Sequence, residues 1–502
     1  MAAIRGGLLV AGTTSDAGKS TVVAGLCRWL ARQGVRVAPF KAQNMSNNSM
    51  VCADGSEIGR AQWLQARACG VEPESAMNPV LLKPGGDRRS HVVLRGKPWG
   101  ELDSRNWSAG REVLASSAHD ALAELRARFD VVVCEGAGSP AEVNLREGDY
   151  VNMGLARAAD LPVVLVGDID RGGVLAAMAG TVGLLDKQDQ ARLAAFVVNK
   201  FRGDRALLEP GLRTLREITG RPVLGVLPWL FDVWLDSEDA LAIAGWSRHR
   251  SGGQPTLRVA VVRLPRVSNA TDVDPLAAEP GVAVTVTADP DVLAAADLAV
   301  LPGTRSTVDD LSWLRERGLA DVLAVRVRQG RPVLGICGGF QMFAGAVHDD
   351  VESGAGTVPG LDLLPLEVRF GRDKTLRRPT GHWRGHPVTG YEIHHGVITR
   401  SDGDWEPFLD GMRRGALWAT MWHGAFESDA FRRAWLAEIA SQAGVPWQPH
   451  ENAPGFATRR EAMLDTLADA IAEHVDTSAL LELIREGAPA DLPWVRLGRE
   501  PG

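Results

Sequence analysis

Cys337 stands in VLGICGGFQM, residues 333–342, where an apolar run gives way to the helical pattern FQMFAGAV. The order strand, Gly-x-Cys-Gly-Gly, helix is that of a nucleophile elbow with a thiol at its tip. Glycines on either side let the chain turn sharply and keep the sulfur accessible, whereas in a plain buried strand they would only cost stability. A thiol at a helix N-terminus is biased toward thiolate. Acyl chemistry at a thiol needs a base, and His423 in LWATMWHGAFE (417–427), just beyond another apolar run, is the candidate. His394 and His395 in GYEIHHGV are alternative bases, without a better-placed nucleophile beside them. Backbone N–H groups of Gly338 and of the turn LPGTRST (301–307), notably Gly303, would receive the oxyanion. The other cysteines, 27, 52, 69 and 134, lack CxxC or Cys/His metal spacing and read as packing residues.

A second constellation lies in LLVAGTTSDAGKSTVVAGLCRWL, a turn directly after a strand pattern and before a helix pattern. Backbone N–H groups of Gly12, Thr13, Thr14, Ser15, Asp16, Ala17 and Gly18 would surround phosphate oxygens, Lys19 would reach the outer phosphates, and the Ser20 hydroxyl would ligate magnesium. The usual GxxxxGK[ST] spacing puts Thr13 where the first glycine belongs, with Gly12 one residue back. Glu135 in VVVCEGAGS and Asp168 in VVLVGDIDRGG end apolar runs; each either holds the Mg2+ of a nucleotide or caps a helix. Asn199 in VVNKF, at a similar strand end, either reads a base edge or is a turn residue. In KAQNMSNNSM (41–50), the amides Gln43, Asn44, Asn47 and Asn48 suit either a polar substrate site or a solvated loop. Lys41 and Arg171 are candidates for contact with substrate carboxylates or phosphate, or else surface charges.

Positioning these groups requires parallel α/β architecture. Short apolar runs at 7–12, 35–40, 130–136, 162–168, 194–200 and 223–228 alternate with helix-length segments, and a second series begins at LRVAVVRL (257–264). The expected division is 1–245, a linker at 246–256, a second domain at 257–432, and a helical extension and tail at 433–502 that caps the second domain. RREAMLDTLADAIAEHV (459–475) has the spacing of an amphipathic helix, and GAPADLPWVRLGREPG reads as a loose tail. The chain has 502 residues, 45% of them apolar and 23% charged, with a formal charge of -7; this argues for a globular protein and against general nucleic-acid binding. The lack of a signal peptide or membrane-length apolar run, together with five cysteines, points to the cytoplasm. A nucleotide site and a thiol hydrolase site together imply that ATP activates an acid while the thiol releases ammonia from an amide. A shielded path between the two sites is then expected.

These motifs, with PFKAQNMSNNS, EIGRAQ, VVCEGAGSPAEVNL, GDIDRGG, VVNKFRGD, LPGTRST, GYEIH and WHGAFE in order from about residue 5 to about residue 430, resemble the glutamine-hydrolysing cobyric acid synthases of cobalamin biosynthesis. The resemblance implies an N-terminal P-loop, dethiobiotin-synthetase-like parallel-sheet domain followed by a C-terminal class I glutamine amidotransferase α/β domain. It also implies amidation of the b, d, e and g carboxylates of a corrinoid, adenosylcobyrinic acid a,c-diamide, with ATP, Mg2+ and L-glutamine as ammonia donor. Carried over, Cys337 attacks the glutamine amide, His423 is its acid/base partner, residues 12–20 hold the ATP phosphates, and Glu135 helps hold magnesium. Many class I glutaminases carry His-x-Glu, but Ala425 occupies that place and Glu427 is the nearest acid, so a Cys–His pair, usual in this subgroup, is expected. Asp16 stands where related synthetases often have glycine. The rival readings are cobyrinic acid a,c-diamide synthase, another carboxylate amidotransferase such as one that amidates a cell-wall precursor, and a ParA-like ATPase switch.

Overall fold

Strand alternation decides the first layer of the structure. In Gly6–Gly12, Leu8 and Val10 enter one apolar cluster while Leu9 and Ala11 enter another, and Val131/Val133 against Val132/Cys134 divide the same way. A sheet buried on both faces needs helices on both. The computed structural model describes residues 4–85, 89–103, 110–231, 233–234, 247–248, 256–400 and 403–496. It builds a six-stranded parallel sheet in the order Val223–Pro228, Leu193–Phe201, Val163–Asp168, Gly6–Gly12, Val131–Glu135 and Val37–Phe40. One face is covered by the helices Arg111–Arg128 and Val174–Leu184, the other by Lys19–Arg32.

Two helices from the far end of the chain, Phe456–His474 and Thr477–Glu486, complete that second covering. The helix expected over 459–475 is therefore present, but the apolar side chains beyond residue 455 pack on the first domain, while Arg460 and the Phe456 N–H reach Glu427 and Asp429 of the second. Its Leu464, Leu467 and Ile471 are buried against Val23, Leu26 and Leu30. Gly25 makes the close crossing possible: a Cβ there would lie 2.9 Å from Ile471 Cγ1 and 3.0 Å from the Leu467 carbonyl. Along the rim, Arg28 and Arg32 meet Asp465 and Asp469 at 2.8 and 2.7 Å, one helical turn apart on both helices. The expected loose tail is also docked up to residue 496. Arg221 donates to the Pro493 carbonyl (2.7 Å), and Gln190 and Val495 exchange two hydrogen bonds of 2.9 and 2.8 Å.

The second domain is a mixed sheet whose parallel core runs Val282–Thr287, Leu257–Val262, Leu298–Leu301, Val333–Ile336 and Leu417–Thr420. The helix Asp429–Ala443 packs here through Phe431, Trp435, Leu436 and Ile439. Four smaller sheets among the described residues were not foreseen: two of four strands, one within Gln43–Asp103 in the first domain and one within Ala346–Arg400 in the second, and two of two strands, Ser49–Val51 with Glu57–Gly59 and Thr380–Trp383 with His386–Thr389. The expected linker, 246–256, lies almost wholly outside the described residues. Among the described residues no helix is long and apolar enough to cross a membrane.

Candidate active site

The strand Val333–Ile336 hands directly over to the short helix Gly338–Met342, and Cys337 is the hinge, with φ 48° and ψ -107°. A side chain rarely adopts that backbone, so the turn is held by its surroundings. Cys337 N–H donates to the Thr420 carbonyl (2.8 Å), and Gln341 N–H donates back to the Cys337 carbonyl (2.9 Å). Gly339 must be glycine, because a Cβ would sit 2.0 Å from the Leu301 carbonyl. Gly338 abuts Thr304 of the LPGTRST turn, and Gly303 abuts His423 Cε1, so both predicted oxyanion glycines gather around the thiol. Gly338 N–H, first in its helix, has no intrahelical acceptor by geometry.

His423 is buried, hydrogen-bonded to Cys337 on one side and, through Nδ1–H, to Asp272 Oδ2 at 2.7 Å on the other. Asp272 Oδ1 accepts Gly424 N–H at 2.8 Å. The absent His-x-Glu acid is thus supplied from a 3-10 turn, Ala270–Val273, 151 residues upstream in sequence. Burial alone would pull the imidazole pKa down, but the Asp272 carboxylate and the Cys337 sulfur outweigh it and push it up to about 10. The imidazolium is the resting form, suited to pair with a thiolate and to protonate a leaving amine. Tyr391 fixes the ring from above, stacked with centroids 5.4 Å apart, and exchanges two backbone hydrogen bonds of 2.9 Å with His423. Glu427, the acid nearest in sequence, instead bonds Arg60 (2.7 Å) and Arg460 (2.9 Å) and ties three parts of the chain together. His394 and His395 line the pocket in front of Cys337, but their Nδ1–H groups donate to the carbonyls of Gly396 and Gly371. Burial, then Lys374 and Arg305, push His395 down to about 4, leaving it neutral.

The phosphate loop occupies the carboxyl edge of the first sheet. Lys19 folds back over Gly12 and donates to the carbonyls of Thr14 (3.0 Å) and Gly138 (3.2 Å). Ser20 Oγ donates to Glu135 Oε1 (2.8 Å), which also accepts Lys41 Nζ (2.9 Å), while Glu135 Oε2 accepts Gln65 Nε2 (2.6 Å). A hydroxyl at the helix start facing a buried carboxylate is a donor set that suits a hard divalent cation beside phosphates. Asp168 lies on the opposite flank of the Gly6–Gly12 strand from Glu135, engaged by Lys200 (2.7 Å) and Asp170 N–H (2.9 Å), and the structure does not join it to that pair. Asn199 spends its amide on the Ala17 carbonyl (3.0 Å) and so braces the loop. Asp16, at φ 58°, accepts Lys200 through its carbonyl and faces Arg171.

The polar segment is largely buried and hydrogen-bonded within the protein, not a solvated loop. Lys41 is buried on Glu135, Gln43 accepts Tyr150 Oη–H (2.5 Å), and Asn44 donates to Gln62 (2.9 Å); Arg171 is exposed, between Asp16 and Asp168. Further along, the segment reaches the thiol site. Asn47 and Lys83 line the Cys337 pocket, which holds about 460 Å3 of empty space, part of it open to solvent, together with Arg305, Glu352 and Lys374 of the second domain. Asn48 and Ser49 bond the second domain directly, as described below.

Beneath this contact Glu57, fully buried, is gripped by Lys83 of its own domain and by Lys374 (2.5 Å) of the other. Burial would raise its carboxyl, but Lys374 and Lys83 outweigh that and hold it far below the usual range. Lys83, sharing one carboxylate with a second cation, is pushed by burial down to about 8. Glu57→Ala is therefore expected to destabilise the protein by about 3–5 kcal/mol, since two buried cations lose their partner; a lowered urea midpoint reads it. Because the carboxyl is depressed, this stabilisation is present above pH 4.5 and fades as acid titrates it, and the variant's deficit should shrink accordingly.

The signal for Asp272 was in the sequence: it follows the first strand of the second series, in SNATDVDPL, where a parallel strand's carboxyl end delivers side chains to a site. Residues 8–241 match the family described as CobQ/CobB/MinD/ParA nucleotide binding domain, and residues 258–431 match the CobB/CobQ-like glutamine amidotransferase domain. The chain is 62% identical over 483 residues to cobyric acid synthase of Cutibacterium acnes, covering 95% of this chain and 100% of that one. It is 59% identical to the cobyric acid synthases of Mycolicibacterium gilvum and Streptomyces avermitilis, in each case over 98% of this chain and 99% of the relative. An elbow thiol with its histidine and acid, a phosphate loop on a parallel sheet, and full-length likeness at this level together place the chain in the cobyric acid synthase family of glutamine amidotransferase enzymes.

Proposed function

We propose that this enzyme uses ATP and glutamine to convert the b, d, e and g carboxylates of adenosylcobyrinic acid a,c-diamide to amides, giving adenosylcobyric acid for cobalamin biosynthesis. We place the reaction in the cytoplasm, where five unbridged thiols stay reduced. The observation that carries the reading is that one segment, residues 41–49, touches Glu135 beside the phosphate loop at one end and the Cys337 pocket at the other.

In this reading Cys337 thiolate attacks the glutamine side-chain carbonyl, and the oxyanion is received by N–H groups of Gly338 and of the Gly303 turn. His423 gives its proton to the departing nitrogen, releasing ammonia and leaving a thioester. It then takes a proton from the water that frees glutamate. In the other domain residues 12–20 hold the ATP phosphates, with Lys19 on the outer ones and Ser20 and Glu135 on the cation. Mg2+ supplies charge neutralisation during phosphoryl transfer to the substrate carboxylate. The resulting acyl phosphate has the leaving group that a carboxylate lacks, and ammonia displaces it. Asn47 and Lys83 in the wall of the thiol pocket support transfer of ammonia across the domain contact.

The test is mass spectrometry of the a,c-diamide incubated with enzyme, MgATP and glutamine, beside Cys337→Ala given glutamine or ammonia. The expected result is stepwise gain of four amides, lost in the variant with glutamine and restored by ammonia. No mass change while wild-type enzyme still hydrolyses glutamine would overturn the corrinoid assignment.

A further inference from the structure

The acid of the thiol site is not held by its own domain alone. Asn269, which precedes the 3-10 turn carrying Asp272, is 3% exposed and sits in the left-handed region at φ 49°, ψ 43°. Its Oδ1 accepts Ser49 N–H (2.9 Å), and the next residue, Ala270, donates its N–H to Asn48 Oδ1 (3.2 Å). Two asparagines, one from each domain, thus each accept a backbone N–H of the other domain at adjoining positions. Asn48 and Ser49 are also buried, at 3% and 0% exposure, so water does not compete for these bonds. Two residues further on, Val51 packs on Tyr391, the ring stacked on His423. One short strand of the first domain, Ser49–Val51, therefore braces both the turn that bears the acid and the ring that backs the base.

We propose that Asn48 and Asn269 are positioning residues for glutamine hydrolysis: their reciprocal bonds across the domain contact hold Asp272 on His423, so that the nucleotide-binding domain completes the thiol site. The proposal rests on the reading of Cys337, His423 and Asp272 as a glutaminase and assigns its geometry to a segment outside that domain. The left-handed backbone at Asn269 explains the choice of residue, since asparagine tolerates that conformation and still offers an acceptor. The same segment begins at Lys41 on Glu135, so the brace is continuous with the phosphate site.

The experiment uses the full-length enzyme with glutamine, measuring glutamate release and, separately, ammonia-supported amidation. Asn269→Gly keeps the backbone conformation accessible and removes the bond to Ser49; Asn48→Ala removes the bond to Ala270. Each is expected to lower kcat for glutamine about 10–100-fold with KM little changed, the size of loss that misplacement by about 1 Å produces. The alkaline limb of the pH profile should move down, and amidation from ammonia should keep its wild-type rate. Added to Asp272→Asn, either change is expected to cost nothing further, because residues acting through one another are not additive. Wild-type kcat in both variants, full additivity with Asp272→Asn, or equal loss of ammonia-supported amidation would overturn the proposal. Wild-type enzyme that releases no glutamate from glutamine would instead sink the glutaminase reading.

Discussion

Asp272→Asn is expected to lower glutamine hydrolysis by on the order of 10^2–10^4-fold, the range seen when the acid behind a catalytic histidine loses its charge. The argument runs through His423. With Asp272 ionised, Nδ1–H is fixed toward the carboxylate, leaving Nε2 for Cys337 and the imidazolium stable up to about pH 10. An asparagine removes the charge that outweighs burial, so the histidine falls toward 6.5 or below. The imidazole is then neutral at physiological pH and has no proton to give the departing nitrogen. The pH profile checks this: wild-type activity should hold through the alkaline range toward pH 10, and the variant's should decline from near neutrality. Stability follows the same sign. A histidine with a raised pKa contributes stability that is full below pH 6.5 and is lost as pH climbs through about 10, so the variant's melting deficit should be largest in acid and vanish in strong base. A profile unchanged in shape would mean that Asp272 merely orders the turn.

Removing residues 455–502 is expected to unfold the first domain while sparing the second. Phe456, Met463, Leu464, Leu467, Ile471, Leu480, Leu483 and Ile484 are each at most 8% exposed and belong to the cluster on the first sheet. At roughly 1.5–3 kcal/mol per buried side chain, their loss of about 12–24 kcal/mol matches or exceeds the roughly 5–15 kcal/mol that holds a domain folded. The Arg28–Asp465 and Arg32–Asp469 pairs at the rim add little by comparison. Protection by MgATP in thermal melts should disappear, and an apolar dye should bind. The second domain keeps its own helix Asp429–Ala443 and the aromatic packing of Trp435 with Trp418 and Phe408. If the truncated chain melted like the full one in its nucleotide-dependent transition, the extension would be dispensable to the first domain.

What could be read from sequence was what is local. The elbow at Cys337 and the loop at 12–20 declare themselves because strand, turn and helix are contiguous, and VLGVLP and VAVTVT end within the bounds that the structure gives. The helix at Phe456–His474 was legible from its periodicity, but an apolar stripe does not say which sheet it covers. Asp272 was missed for the same reason, since its partner is brought to it by two strands and a turn. The segment 41–50 showed its polarity in the sequence but not its burial. Lys41, Gln43 and Asn44 are polar enough to look like ligands for a substrate, and only burial shows that they satisfy Glu135, Tyr150 and Gln62. Lys83, Glu57 and Lys374 are each ordinary in sequence; their meaning lies in a contact that spans two domains.

The covering of the first sheet by the last helices also bears on how the chain is made. Gly6 lies against the Ile484 carbonyl, so the covering of this strand's face, begun by Lys19–Arg32, is completed only once residue 484 has been made. At ~5–20 residues per second that interval is roughly 25–95 s, far longer than collapse of a chain this size. Meanwhile the second domain, whose sheet and helices are complete by residue 447, has everything it needs. The domain encoded first is thus the one that finishes last. A nonsense change in the codons for residues 456–484 would strike the nucleotide-binding half, and in the nascent chain the Leu8 and Val10 face is the surface that a chaperone would have to shield.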